Sequence, residues 1–499
     1  MKKTNNQKLK VLHITSELTP LAKAGGLGDI VGALPKEMAT SFHQEVKIIM
    51  PKYKNFDQQQ FGAEKIIEEI KIPFTKKQNH KVAVWKTFIP ETIIPVYLID
   101  APKIFTSEEV YGNKVRGKSS NYAYFFLSKV ALELIKAIDW CPNIIHIHDG
   151  MIGLVPKWLK TIYAHDPFYK HISTILTIHN LAHQQLIPKE ELKEFKLKRK
   201  DFQTTRKLLK TKKFNIMAEA ISSSDFVNTV SPTYAREILT KKYGSGLHRL
   251  LSKEKAKFTG ILNGIDYTSF DPRINEDTPV KYWIETLDKK VENKMILQKK
   301  FGLTQTGDLP LISVISRLTP QKGLDLVEDV LKDLVDMGAQ FVILGSGQEK
   351  IEKIFIKAEK ENPKSIEAEM EFDANLAQTI YAGSDMLLMP SRFEPCGLSQ
   401  IIAMRFGTIP IVRGTGGLAD TVRDGYTGFV FRHYDKNAFL WAIIRAVDVY
   451  YNQKDFWRRM QIRAMKKDFS WKNSAKKYIW AYKKAISNHK KYLEENAQS

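Results

Sequence analysis

Short apolar strands alternate with longer amphipathic stretches from one end of this chain to the other. This alternation is typical of βαβ units, in which helices cover a parallel sheet. In the first half, the predicted strands are Val11–Thr15, Val46–Met50, Val96–Asp100, Ile144–His148, Ser173–Ile178 and Phe226–Val230. In the second half, they are Leu311–Ser316, Gln340–Leu344, Ile366–Phe372, Asp385–Met389, Thr408–Val412 and Gly428–Phe431. Because 499 residues exceed one ordinary core, we predict an α/β protein with two doubly wound, Rossmann-like parallel-sheet domains.

An irregular segment that begins with the turn signal Asn263-Gly264 separates the two series of strands. We therefore predict an N-terminal domain over residues 1–262, a C-terminal domain over residues 263–471, and a hinge between them. The final stretch carries aromatic residues at helical spacing, and we expect a helix over about residues 472–492 that packs back on the first domain. Two such domains would enclose a central cleft where the carboxyl ends of their strands face each other.

The cysteines and the apolar runs indicate the compartment of the protein. Two isolated cysteines, Cys141 and Cys396, cannot make a disulfide framework and fit a reducing cytosol. The first apolar run, Val11–Ile14, is too short for a signal peptide and contains His13. Since the sequence has no stretch long enough to span a bilayer, we expect a cytoplasmic protein without stable membrane association.

The net charge of +22 admits two interpretations. A basic surface attracts the phosphates of nucleic acids, and lysines concentrate over residues 189–213 and 466–491. Scattered lysines on solvated helix faces are the simpler interpretation, and no nucleic-acid-binding motif accompanies the charge. We therefore expect no nucleic-acid partner, although the basic excess would still attract a nucleotide diphosphate.

Loops at three strand ends of the second half carry groups suited to a diphosphate. Arg317 and Lys322 combine a forked guanidinium with a point charge and need no metal. Glu394 stands just before a helix start, and Gly416-Gly417 allows close backbone approach. The alternatives are a surface basic pair and an ordinary acid at a helix start. Repetition of the arrangement at several strand ends favours one nucleotide-diphosphate site.

The first strand is followed by a glycine-rich loop in which Lys23 precedes Gly25 and Gly26. The order of residues matches neither the P-loop nor the dinucleotide fingerprint. The loop either lies against a sugar or phosphate or is only a tight strand-to-helix turn, and Glu17 before it is either part of a site or a surface acid.

Two further strand ends of the first half carry His148-Asp149 and His179-Asn180. A single histidine in such a place is usually a satisfied core residue, whereas two on one sheet favour a sugar-binding rim. We predict no metal site there, because no acid or histidine at ligand spacing completes one.

Taken together, these segments resemble the glycogen and starch synthases, retaining glycosyltransferases of the two-domain GT-B architecture. The resemblance covers nearly the whole chain and keeps the order of the family's motifs. It rests on HITSE (13–17), KAGGLGDIVGALP (23–35), VSPTYAREI (230–238), ILNGID (261–266), ISRLTPQKGLDL (315–326), YAGSDMLLMPSRFEPCGLSQ (381–400), TGGLADTV (415–422) and DFSW (468–471).

The resemblance implies roles for individual residues. The implied catalytic residues are Glu394, His179, Lys23, Arg317 and Lys322. The implied substrate-binding residues are Glu17, Gly25, Gly26, Asp29, Asp149, Asn180, Asn263, Phe372, Cys396, Gly397, Leu398, Ser399, Thr415, Gly416 and Gly417. Phe372 falls where the family has a tyrosine beside the adenine. No metal and no cofactor is implied.

The activity that the resemblance implies is glucosyl transfer from ADP-glucose to the non-reducing end of an α-1,4-glucan, either glycogen or a maltooligosaccharide, with retention of configuration. Two alternatives stay open: a related transferase with another acceptor, and a glucan-binding relative without turnover. UDP-glucose is an alternative donor.

The chain departs from the family pattern mainly on the acceptor side of the first domain. Gly150-Met151 stands where the family has Trp-His, and His183-Gln184-Gln185 stands where it has Tyr-Gln-Gly. Ala218-Glu219-Ala220 replaces Lys-Gly-Gly. We therefore expect ordinary donor binding together with altered acceptor use.

Overall fold

A computed structural model of the protein describes residues 8–73, 79–210, 214–371 and 373–497. The chain forms two compact units. The first is made of the residues up to Val230, Ala235–Gly264, and the chain from Trp471 onward. The second is made of Ser231–Tyr234 and Ile265–Ser470.

The first unit is built on a mixed sheet. Its strands are β1 (Lys10–Ile14), β2 (Glu45–Pro51), β3 (Glu64–Pro73), β4 (Asn79–Phe88), β5 (Pro95–Asp100), β6 (Ile144–His148), β7 (Ser173–Ile178), β8 (Leu186–Ile187), β9 (Phe214–Asn215), β10 (Phe226–Thr229) and β11 (Phe258–Gly260). Within the described residues, nine of them pair in the order β11-β10-β7-β6-β1-β2-β5-β4-β3, and β8 pairs separately with β9. The pairs β3–β4 and β4–β5 are antiparallel, whereas the others in the large sheet are parallel.

The second unit contains a six-stranded sheet within the described residues, and all its strand pairs are parallel. Its strands are β12 (Leu311–Ile315), β13 (Gln340–Leu344), β14 (Ile366–Glu369), β15 (Met386–Met389), β16 (Ile409–Arg413) and β17 (Phe429–Phe431). Their spatial order is β14-β13-β12-β15-β16-β17. Both faces of this sheet are covered, so β13, β15 and β16 are fully buried and mostly apolar, as expected for parallel strands.

The α-helices separate the strands and flank the sheets. They are α1 (Gly26–Thr40), α2 (Tyr122–Ala137), α3 (Leu154–Leu159), α4 (Lys189–Leu192), α5 (Gln203–Leu209), α6 (Ile216–Ser223), α7 (Pro232–Glu237), α8 (His248–Lys253), α9 (Lys290–Lys300), α10 (Leu324–Asp336), α11 (Glu349–Glu361), α12 (Ala374–Gly383), α13 (Ser399–Arg405), α14 (Gly416–Thr421), α15 (Lys436–Asn452), α16 (Lys454–Lys466) and α17 (Trp471–Ala497). The last helix buries Tyr478 and Tyr482 in the core of the first unit, together with Val11 and Met38.

Every strand predicted from apolar runs is present, in most cases with ends that differ by one residue. The predicted strand Ile366–Phe372 ends at Glu369, and Phe372 lies outside the described residues. The first sheet is parallel as predicted except at one edge, where the strands β3 and β4, which the sequence did not predict, add antiparallel pairs. Most of β3 is solvent-exposed, so its sequence is polar and carries no buried apolar run that would reveal a strand.

Strand order fixes where each unit can bind a ligand. In the first sheet, β1 lies between β2 and β6, and the chain runs outward in opposite directions on the two sides. In the second sheet, β12 occupies the same position between β13 and β15. Ligands of open α/β sheets bind at such a switch point, beyond the carboxyl ends of the two central strands. The relevant loops therefore follow β1 and β6 in one unit and β12 and β15 in the other.

Candidate active site

The loops after β12 and β15 bring two of the predicted charges together. The Lys322 ammonium lies 2.7 Å from Glu394 Oε2, and Ser391 Oγ donates to the same oxygen at 2.9 Å. Only 7% of the Glu394 side chain and 16% of the Lys322 side chain are exposed. Glu394 is thus a partly desolvated carboxylate held by a cation and a hydroxyl. Sequence reasoning missed Ser391, which carries no signal beyond its place at a strand end.

Arg317 follows β12 and is exposed. Within the described part of the chain, its guanidinium makes no ion pair or hydrogen bond. The forked donor set is therefore available to a ligand, whereas the Lys322 charge is already shared with Glu394.

Glycines let the loop after β16 press against the Glu394 turn. The Gly417 amide donates to the Glu394 carbonyl at 3.0 Å, and Gly416 has a φ of +46°. A Cβ at Gly416 would collide with the Glu394 carbonyl oxygen, and one at Gly417 with the Cys396 carbonyl oxygen. Glycine is required at both positions, because any side chain would push the turn away.

The turn itself is held from inside the helix that follows. Gln400 Nε2 donates to the carbonyls of Cys396 and Gly397, and to Thr421 Oγ1. Cys396 is buried, and Gly397 adopts a φ of +72°. Gln400 is a further residue that the sequence did not single out as functional.

The other residues predicted for the nucleotide side do not all fall in one place. Leu398 and Ser399 form the start of α13, and Thr415 directly precedes α14. Asn263 belongs to the first unit, where it is buried and its Oδ1 has no hydrogen-bond partner among the described residues. The predicted contact of Phe372 falls outside the described residues.

In the first unit, Glu17 is buried and organises the loop after β1. Its Oε2 accepts hydrogen bonds from the amides of Ala24 at 2.8 Å and Gly25 at 2.6 Å. Its Oε1 accepts a hydrogen bond from the Tyr111 hydroxyl. The alternative that Glu17 is a surface acid was wrong, because these contacts pull the carboxylate inside. Tyr111 is distant in sequence and could not be foreseen.

Lys23 and Asp29 form an ion pair of 2.7 Å at the start of α1. Both side chains are partly exposed, and Thr19 Oγ1 also donates to Asp29 at 3.3 Å. Gly26 begins the helix, and Gly25 precedes it in extended conformation. A phosphate at Lys23 would therefore have to compete with the Asp29 carboxylate.

Asp149 and His179 are joined at the ends of β6 and β7. Asp149 Oδ1 accepts from the amides of His179 at 2.8 Å and Asn180 at 3.4 Å. Its backbone has a φ of +55° and a ψ of −176°, a region nearly reserved for glycine. Burial raises the pKa of Asp149 to about 7, although the two amides and their hydrogen bonds oppose that shift. Strain of this kind clusters at functional sites, where the surroundings hold it in place.

Behind this pair, four imidazoles from three neighbouring strands pack together. His13, His146 and His148 are fully or almost fully buried, and their ligand nitrogens lie within 4.8 Å of one another. The ground for predicting no metal site, that no further histidine lies at ligand spacing, was wrong, since His13 and His146 complete a set of three with His148. The hydrogen bonds among His13, His148 and His179, and those from His146 to Tyr482 and Thr177, engage all nitrogens of the three except His13 Nε2. The cluster is satisfied as a hydrogen-bonded network.

Two of the departures from the family pattern compensate each other. Gly150 is buried, and a Cβ there would overlap with Gln185 Oε1 and lie 3.2 Å from Met217 Cβ. The family pattern combines a tryptophan at position 150 with a glycine at position 185. Here, a glycine at 150 leaves room for the Gln185 side chain, whose Oε1 has no hydrogen-bond partner among the described residues.

The third departure is also built into the interior. Glu219 is buried, forms an ion pair of 3.2 Å with Lys157, and accepts a hydrogen bond from Thr205. Burial raises its pKa, while Lys157 and Thr205 act in the opposite direction. Thr205 belongs to the basic segment 189–213, so part of that segment folds onto α6 through this carboxylate.

Comparisons with known proteins find matches over nearly the whole chain. Residues 10–253 match the family described as "Starch synthase catalytic domain", and residues 296–461 match "Glycosyl transferases group 1". The chain is 42% identical to the glycogen synthase of Thermosipho melanesiensis, covering 96% of this chain and 99% of that protein. It is 39% identical to the glycogen synthase of Thermotoga maritima, over 96% and 99% of the two chains. Among solved structures, the catalytic domain of Arabidopsis thaliana starch synthase IV, bound to ADP and acarbose, matches with a TM-score of 0.88 and 33% identity, over 96% of this chain and 100% of that one.

Proposed function

The chain belongs to the glycogen and starch synthase family of GT-B glycosyltransferases, and from this premise we propose that it transfers glucose from ADP-glucose to the non-reducing end of an α-1,4-glucan with retention of configuration. The observation that carries the proposal is the group formed by Arg317, Lys322 and Glu394 at the switch point of the second sheet.

Arg317 and Lys322 would hold the diphosphate of the donor. The exposed Arg317 guanidinium offers the fork that suits two phosphate oxygens. Lys322 adds a positive charge whose position is fixed by Glu394. As the sugar–phosphate bond breaks, negative charge develops on the leaving diphosphate, and cations already in place stabilise it without reorganisation.

Glu394 would act through its charge rather than as a nucleophile. Its Oε2 is occupied by Lys322 and Ser391, which orient and partly neutralise it. A double displacement needs a free carboxylate at the sugar carbon. We therefore favour front-face transfer, in which an oxygen of the departing diphosphate takes the proton of the incoming hydroxyl.

The acceptor is a glycogen or maltooligosaccharide chain, and the starch synthase IV structure bound to acarbose supports a glucan-like ligand for this architecture. Relative to the family pattern, the large side chain has moved from position 150 to position 185. This difference favours one alternative, a transferase of the same class with another acceptor. It changes the interior of the first unit beside the end of β6 while leaving Arg317, Lys322 and Glu394 as they are.

The site of action that we propose is the cytoplasm. The two cysteines, Cys141 and Cys396, support it, because neither forms a disulfide in the described part of the chain. Among the described residues, no helix combines the length and apolarity that crossing a membrane requires.

Radiolabelled ADP-glucose tests the proposal when it is supplied with glycogen, with maltoheptaose or without a primer, and with UDP-glucose in a parallel series. We expect label in both glucans and faster transfer from ADP-glucose. Transfer to neither glucan, with hydrolysis or label in another acceptor, would overturn the proposed acceptor. Glucan binding without any turnover would identify a non-catalytic relative.

A further inference from the structure

Three imidazoles in a row connect the interior of the first unit to the end of β7. His13 Nδ1 lies 3.2 Å from His148 Nε2, and His148 Nδ1 lies 3.0 Å from His179 Nε2. The two outer nitrogens, His13 Nε2 and His179 Nδ1, have no hydrogen-bond partner among the described residues. We call His13, His148 and His179 the histidine relay.

Each ring of the relay carries a single proton at neutral pH. Burial lowers the pKa of His13 and of His179 to about 3, and it lowers the pKa of His148 well below the ordinary value. A neutral imidazole has one N–H and one acceptor nitrogen. Both inter-ring contacts are then satisfied in only two ways: all three rings are protonated at Nδ1, or all three at Nε2.

The two arrangements differ in which end carries an N–H without an acceptor. Protonation at Nε2 would leave that N–H on His13, which is 0% exposed in the middle of β1. Protonation at Nδ1 leaves it on His179, a partly exposed residue just beyond the carboxyl end of β7. Its Nδ1 is shielded from solvent, but it lies at the end of the sheet where ligands bind and where a ligand oxygen would accept the hydrogen bond. An orphaned N–H deep in a protein is costly and rare, so the Nδ1 arrangement is favoured.

We propose that His13 and His148 are positioning residues that hold His179 as its Nδ1–H tautomer, so that its ring donates a hydrogen bond to an oxygen of the bound donor sugar. The last part of this inference rests on the proposed function. The backbone of His179 is fixed separately, by its hydrogen bond to Asp149. The relay therefore controls the ring and its proton rather than the loop.

Nuclear magnetic resonance of the full-length protein with 15N-labelled histidine tests the tautomer directly, with His179→Gln and His148→Gln used for assignment. Long-range proton–nitrogen correlations distinguish Nδ1–H from Nε2–H rings. We expect His179 and His148 to be protonated at Nδ1. Protonation of His179 at Nε2, or a positively charged His179 at neutral pH, would overturn the relay. This measurement does not depend on any substrate, so it stands even if transfer from ADP-glucose is not found.

Kinetics of two amide variants test what the relay does. In His148→Asn, the amide occupies the Nδ1 position and can still donate to His179, whereas in His148→Gln it occupies the Nε2 position and faces His13. We expect His148→Gln to lose at least about 10-fold in kcat with little change in the KM for ADP-glucose, and His148→Asn to recover most of that loss.

His146→Gln is the matched control, because His146 lies on the same strand, is equally buried and stacks on His148 at 4.3 Å, but bonds to Tyr482 and Thr177 instead. Its turnover per folded molecule should stay close to that of the wild type. Equal losses in the His148→Asn and His148→Gln variants, or the same loss in His146→Gln, would show a purely structural role and overturn the proposal.

Discussion

The two switch points of this protein share a strand order but are built by different physical means. The site of the second unit consists of charges on loops, Lys322 against Glu394 with Arg317 exposed beside the same strand. The site of the first unit is a network of neutral imidazoles behind a strained carboxyl, drawn from β1, β6 and β7. A charged cradle suits a diphosphate leaving group, whereas a neutral, directional network suits hydroxyl groups of a sugar.

The glycine-rich loops of the two sites differ in the same way. Gly416 and Gly417 touch the backbone of the Glu394 turn, so a side chain has nowhere to go. At Gly25, a Cβ would meet only the Glu17 carboxylate oxygens, at 3.7 and 3.9 Å, which is ordinary contact. Glycine is thus sterically required at Gly416 and Gly417, whereas at Gly25 a small side chain would fit.

The largest expected effect is that of Gly417→Ala. Its methyl group would displace the carbonyl of Cys396 and with it the Glu394 turn, so we expect a loss of about 3 kcal/mol in the free energy of unfolding and little transferase activity. Gly25→Ala is the control and should change stability by less than about 1 kcal/mol. Urea denaturation of both variants measures the difference, and equal stabilities would remove the contrast between the loops.

Next comes the charge cradle. Arg317→Ala and Lys322→Ala should each lower turnover with ADP-glucose by roughly 100-fold. The two variants should differ in stability. Arg317 is exposed, so its removal should cost little, whereas removal of Lys322 leaves the desolvated carboxylate of Glu394 without its cation and should destabilise the fold. If either variant kept more than half of wild-type turnover, the assignment of the cradle would fail.

The third effect is the dependence of stability on pH that Asp149 causes. Its pKa is raised to about 7 in the folded protein, so the native state binds the proton more tightly than the unfolded state. The contribution of Asp149 to the free energy of unfolding is therefore complete below about pH 4 and is lost as the pH rises to about 7. Relative to Asp149→Asn, the free energy of unfolding of the wild type should fall by about 2 kcal/mol over that range. This is less than the whole pKa shift would give, because Asp149 is partly exposed to solvent. Parallel denaturation curves from pH 4 to 8 measure the difference, and a constant offset would contradict the raised pKa.

A smaller effect concerns the exchange between positions 150 and 185. Gly150→Trp with Met151→His should be poorly tolerated alone, because the tryptophan would overlap with Gln185. Adding Gln185→Gly should restore stability. It should also strengthen the use of long glucans by about 1 kcal/mol per added contact, while the dissociation constant of the donor nucleotide stays the same. Initial rates over a maltooligosaccharide series, with calorimetry for ADP, would show this. A double variant as stable as the triple one would mean that Gln185 does not fill the site.

The last prediction is that removal of metal ions does not change transferase activity. Activity should persist in excess EDTA, because Arg317 and Lys322 supply the positive charge that many transferases take from a metal. Loss of activity on chelation that is reversed by Mg²⁺ or Mn²⁺ would break the proposed division between a charged and a neutral site.

The fold class, the strands buried on both faces and the loops of the second unit could all be predicted from the amino-acid sequence. Parallel strands leave continuous apolar runs, and the groups of the cradle lie within a few residues of those runs. Glycines that must approach a carbonyl are also visible locally, because no other residue fits there. Such signals are short in range, so they can be read without knowing how the chain folds back.

Tertiary structure alone decided the site of the first unit. His13, His148 and His179 come from separate strands, and Tyr111 reaches Glu17 across 94 positions of the chain. Whether an imidazole is a donor, an acceptor or a metal ligand depends on the partner that the sheet places against it. Burial and pairing set those partners over long distances in sequence, and no local pattern records them.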